Sequence, residues 1–106
     1  MESKSKKYTV IVSKRAMGML VSHASFIAQA SDTAALRLTD SFVFAANSLE
    51  TMPQRCPFLN SDYIPKNKYR KLIFEEKYII IYQIVDDKVY LDYIVDGRQD
   101  YGWLLK

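Results

Sequence analysis

The sequence is poor in the residues that most often build catalytic and metal centres. It holds one cysteine, Cys56, and one histidine, His23, in 106 residues. A lone cysteine excludes an internal disulfide, and the two residues together cannot make a Cys/His metal cluster. They do not suggest a nucleophile–base pair either. His23 falls inside a predicted helix, where a structural role is expected, and Cys56 sits beside Pro57 with no histidine near it in sequence. Glycine and proline number three each, too few for a collagen-like or Gly/Pro-rich disordered chain. No Gly-rich phosphate loop is present, whether GxGxxG or P-loop. Long hydrophobic runs are missing as well. The longest purely aliphatic stretch is Ile79-Ile80-Ile81, against the roughly 18–20 apolar residues of a membrane span. The Lys-rich start leads into a strand-like stretch instead of an apolar signal core. The expectation is a cytoplasmic protein without metal, cofactor or membrane partner, its cysteine use fitting a reducing compartment.

What the chain does have is an ordinary globular composition with abundant tyrosine. Apolar residues make up 49% and charged residues 25%, which fits a single domain over residues 1–106 with 1–6 as a flexible tail. Eight tyrosines and five phenylalanines favour strands and amphipathic contact surfaces. The net charge of +3 is unevenly spread. From Gln54 to Phe74 five cations face the single anion Asp62, whereas five aspartates dominate the last 21 residues. A basic middle segment suits nucleic acid or an acidic protein segment; it equally suits a solvated loop.

Periodicity predicts the order β-α-α-β-β-β. Lys7–Ser13 alternates around β-branched residues and reads as a strand, with Ser13 placed to cap a helix. Met17, Leu20, Val21, Ala24, Ile27 and Ala28 then make a helical stripe, and Ser31-Asp32 breaks it. Ala35, Leu38, Phe42, Ala45, Ala46 and Leu49 make a second stripe that Met52-Pro53 ends. Residues 53–67 read as a loop. Strands follow at 69–74, 78–85 and 89–95, joined by short turns, so they run antiparallel. The middle strand reads as buried on both faces. The third reads as alternating, with Val89, Leu91, Tyr93 and Val95 on one face. The expected fold is a two-layer α+β domain, a helical hairpin packed on an antiparallel sheet, with a short C-terminal tail folding back on it.

Chemistry then falls to cations and tyrosines. If the first hairpin strand extends backwards, Lys66, Lys68 and Arg70 alternate onto one face, where such a row can hold a phosphodiester. Arg98 and Tyr101 follow the last strand and are expected near the same face. The same cations also suit a soluble sheet edge. Met19, Phe26 and Phe44 lie off the main helical stripes and are candidate outward contacts.

Three local patterns in this order resemble the RelE/ParE toxins of type II toxin–antitoxin systems. They are AALRLTDSFVFAANSLETMPQRCPFL (34–59), YRKLIFEEKYIIIYQI (69–84) and the ending YIVDGRQDYGWLL (93–105). The resemblance spans residues 7–105. It implies a small basic toxin, often serving plasmid stabilisation. An acidic, partly disordered antitoxin would wrap and inactivate it as strand and helix, in a hetero-oligomer or around a homodimer. Met19, Phe26 and Phe44 are then the candidate antitoxin contacts. ParE-like members of the family poison DNA gyrase without being enzymes. RelE-like members are endoribonucleases that cut mRNA on the ribosome. The ending Gly97-Arg98-Gln99-Asp100 and the lack of a C-terminal histidine favour the ParE side. In the RelE-like alternative, Lys66, Lys68, Arg70, Arg98 and Tyr101 would carry the chemistry, with arginines on the phosphate and a lysine or tyrosine moving the proton. A third reading is a non-toxic basic domain that binds nucleic acid or protein.

Overall fold

The computed structural model describes residues 7–60 and 64–99. The expected tail at 1–6, Tyr101 and the end of the chain that was expected to fold back all lie outside the described residues.

The elements are β1 (Thr9–Val12), α1 (Lys14–Ala28), α2 (Asp32–Ser48), β2 (Arg70–Phe74), β3 (Tyr78–Val85) and β4 (Lys88–Asp96), with a 3-10 turn at Pro53–Arg55. Each helix begins on a serine whose hydroxyl accepts from the backbone three residues on. Ser13 Oγ takes the N–H of Ala16 at 2.9 Å, and Ser31 Oγ takes that of Ala34 at 3.0 Å. Among the described residues no helix is long and apolar enough to cross a membrane.

The sheet has the order β1-β4-β3-β2. β2, β3 and β4 form the expected antiparallel meander. β1 joins it beside β4 and parallel to it, so the sheet is mixed. The helical hairpin carries the chain from β1 to the far side of the meander, so that β4, last in sequence, pairs with both β1 and β3.

The helices lie on the face carrying Leu72, Phe74, Tyr78, Ile80, Tyr82, Val89, Leu91 and Ile94. α2 buries Leu38, Phe42, Ala45 and Ala46, as its stripe predicts. α1 differs. Ala16 and Leu20 are its buried residues, while Met17 and Val21 are 42% and 55% exposed. The helix is rolled so that Met19, His23 and Ile27 turn inward, and the ring Nε2 of His23 donates to the Ile94 carbonyl of β4 at 3.0 Å. The opposite sheet face holds a second cluster of Leu59, Ile64, Ile79, Ile81, Tyr93 and Val95. β3 is therefore buried on both faces, as its apolar run predicts. β4 does not keep one alternation. A register shift between Ile81 and Tyr82 leaves Asp92 unpaired across the ladder. An extra residue of this kind reverses which face each later side chain takes. Val89 and Leu91 consequently meet the helices, and Tyr93 and Val95 meet the second cluster.

Candidate functional site

The predicted site residues fall into separate places. β2 begins at Arg70, and Asn67 has a left-handed φ of 60° in the turn before it. Lys66 and Lys68 are exposed in that turn and do not extend the strand, so the single-face row of Lys66, Lys68 and Arg70 does not form. Lys68 instead lays its ammonium 5.2 Å from the ring centre of Tyr69.

Arg70 braces the chain that follows α2. Its Nη1 donates to the carbonyls of Gln54 at 3.0 Å and Cys56 at 2.7 Å, and its guanidinium stacks 3.9 Å from the Phe58 ring centre. Arg55 serves the helix end itself, donating to the carbonyls of Ser48, Thr51 and Met52. A helix terminated by proline leaves its last carbonyls bare, and an arginine one turn on satisfies them. Tyr82, fully buried, donates to the Pro53 carbonyl at 2.7 Å. Burial, then a hydrogen bond to Cys56, pushes its phenol well above the ordinary tyrosine range.

Arg98 stands beyond the other end of the β2–β3 ladder. Arg70 pairs across from Tyr82 of β3, whereas Asp96 pairs across from Tyr78. Four residues of strand separate those two positions, about 13 Å at 3.3 Å per residue. The corner after β4 has a definite construction. The Gly97 N–H donates to the Lys77 carbonyl at 2.7 Å. A Cβ on Gly97 would stand 2.9 Å from both that oxygen and Ile79 Cδ1, so the close approach needs glycine. Asp96 Oδ1 then accepts the Arg98 backbone N–H at 2.9 Å and its Nε at 3.0 Å, and Oδ2 accepts Nη2 at 2.7 Å. Asp96 is the buried acid among the described residues, at 8% exposure. The Arg98 hydrogen bonds outweigh its burial and hold its carboxyl at about 2. The same pairing raises the Arg98 guanidinium.

This corner opens on a cavity of about 420 Å³ lined by Phe26 and His23 of α1, Lys77 and Tyr78 at the start of β3, and Asp96 and Arg98. Phe26 is 74% exposed at its rim. Arg98, predicted as a target residue, and Phe26, predicted as an antitoxin contact, are thus neighbours. Phe44, 79% exposed, lines a different groove of about 520 Å³ between α2 and β2, together with Leu72 and Ile73. Met19 is not an outward residue: it is partly buried and packs against both core clusters. Sequence reasoning passed over Tyr78, Lys77, His23 and Asp96 as site residues. Tyr78 opens the apolar run of β3, and only strand pairing brings it to Asp96.

No curated protein sequence matches the chain. Solved structures do. One, described as a chromosomal ParDE TA system from P. aeruginosa, superposes with a TM-score of 0.69 at 13% identity, covering 87% of this chain and 98% of that one. At that identity the likeness is one of fold. The family assignment rests on a sequence-family model that matches residues 10–101, from β1 through the Arg98 corner. That model is the ParE toxin of the type II toxin–antitoxin system parDE, and the chain belongs to this family.

Proposed function

We propose that the chain is a growth-blocking toxin of the cytoplasm, neutralised by a cognate antitoxin, and that it poisons DNA gyrase by binding, without cleaving RNA. The observation that carries this reading is the separation of Arg70 and Arg98 toward opposite ends of the β2–β3 ladder, each committed to its own partners. A nuclease needs cations converging on one phosphate and a group placed to move the proton. Among the described residues the histidine is engaged with a backbone carbonyl, and Lys66 and Lys68 lie in the exposed turn before β2, off the strand that carries Arg70. A binding toxin needs none of that convergence. It needs exposed contact groups on a rigid frame, such as Phe26 and Phe44.

Supercoiling by purified gyrase with and without the protein tests the target. Inhibition with accumulated cleavage complexes is expected. Unaffected supercoiling at saturating protein, together with new codon-phased mRNA ends in a translating extract, replaces the reading with the endoribonuclease. Growth arrest on expression, relieved by co-expressing the neighbouring open reading frame, tests the toxin–antitoxin relation itself; absence of arrest leaves the non-toxic binding domain.

A further inference from the structure

The cavity at the Arg98 corner contains a polar group without a hydrogen-bond partner among the described residues. Tyr78 is 4% exposed, and among the described residues its hydroxyl has no hydrogen bond. Its ring is held in place by His23, with centroids 5.2 Å apart, and by Phe74 at 5.9 Å. Buried polar groups are nearly always paired. The other buried tyrosine of β3, Tyr82, follows that rule through Pro53. His23 does not satisfy Tyr78 in its place: its Nε2 donates to Ile94, and it meets Tyr78 ring to ring without a hydrogen bond between them.

The groups around that hydroxyl indicate what would pair with it. Arg98 gives Nε and Nη2 to Asp96, and among the described residues its Nη1 carries no bond. The Lys77 ammonium stands 5.8 Å from the Tyr78 ring centre. Among the described lining residues, Lys77 and Arg98 against Asp96 leave one positive charge, and neither Arg98 Nη1 nor the Lys77 ammonium has an acceptor there. An acceptor carrying negative charge fits, and its hydrogen bonds to Arg98 and Lys77 would be charge-assisted. The exposed ring of Phe26 supplies an apolar wall at the rim. A bare anion would leave that wall unused.

We propose that this cavity binds a carboxylate flanked by a large apolar side chain, presented by a segment of the antitoxin, with Tyr78, Arg98 and Lys77 as donors and Phe26 as the apolar wall. The source of the segment rests on the toxin–antitoxin reading above; the chemistry of the cavity does not. Occupation covers Arg98, so no second partner reaches it while the segment is bound.

The test is an NMR titration of the full chain with the capped dipeptide acetyl-Asp-Phe-amide, its Asn-Phe counterpart, sodium acetate and inorganic phosphate. The Asp-Phe peptide is expected to shift the backbone amides of Lys77–Ile79 and Gly97–Gln99. It should bind about tenfold more tightly than the Asn-Phe peptide, the size of one charge-assisted hydrogen bond. Tyr78→Phe keeps the ring and removes only the hydroxyl, and Arg98→Gln alters an exposed side chain; each should weaken the Asp-Phe peptide severalfold while the remaining amide spectrum is unchanged. Equal binding of the two peptides, acetate or phosphate binding as tightly as the peptide, or shifts confined to other parts of the chain would each overturn the proposal. Growth arrest and its rescue are read separately, so failure of the cavity and failure of the toxin reading remain distinguishable.

Discussion

Replacing Asp96 by asparagine isolates the ion pair that shapes the corner after β4. The side chain keeps its size, and its remaining oxygen can still accept the Arg98 N–H, but the two guanidinium bonds no longer end on a charge. A carboxyl held at about 2 instead of the ordinary 3.8 corresponds to an upper bound of about 2.5 kcal/mol, at about 1.4 kcal/mol per tenfold change in proton affinity. Its partner, 64% exposed, is screened by water, so about 1–2 kcal/mol is the realistic loss for Asp96→Asn near neutral pH. The direction with pH follows from the depressed value. The wild-type contribution is fully present above about 4, where the unfolded carboxyl is ionised, and disappears as the pH falls through about 2. Urea denaturation at pH 7, 4, 3 and 2 should show wild type and Asp96→Asn separated by about 1–2 kcal/mol at the upper two values and converging below. A separation that stays constant down to pH 2 would refute the ion-pair account and leave only a packing effect.

Three further substitutions probe the frame and its surface. Gly97→Ala places a methyl 2.9 Å from a backbone carbonyl that cannot swing away; it should cost about 1–3 kcal/mol, and a thermal midpoint within a degree of wild type would show that the corner yields. Tyr82→Phe removes a buried hydrogen bond of 2.7 Å and strands the Pro53 carbonyl, so chemical denaturation should report a loss of about 1–2 kcal/mol with no change in heavy-atom packing. Phe44→Ser alters a ring that is 79% exposed; stability should stay within about 0.5 kcal/mol of wild type, while calorimetry should show weaker antitoxin binding, and unchanged affinity would remove the α2–β2 groove from the antitoxin interface.

Much of the architecture was legible in the residue pattern because it depends on local rules. Ser13 and Ser31 announced two helix starts, Pro53 announced the end of α2, and the apolar run Tyr78–Tyr82 announced a strand buried on both sides. The α2 stripe was correct since its inward residues sit squarely on one side. The α1 stripe was displaced toward Met19 and His23 because apolar residues surround that helix more evenly, and the hydrogen bond to Ile94 decides its roll. The β4 alternation failed at Asp92, where a bulge invisible in the sequence exchanges the two faces. The row of Lys66, Lys68 and Arg70 failed for a similar local reason, the left-handed turn at Asn67.

By itself the sequence determined the element order, the caps, the two-layer class and the family, all of which follow from residue types at short spacing. Tertiary structure alone decided that β1 runs parallel beside β4, that Arg70 and Arg98 stand toward opposite ends of the β2–β3 ladder, and that Tyr78, Asp96, Arg98 and Phe26 share one cavity. Those relations depend on strand register and helix roll. Register and roll are set by side chains far apart in the chain packing against one another, and no short window of residues contains that information.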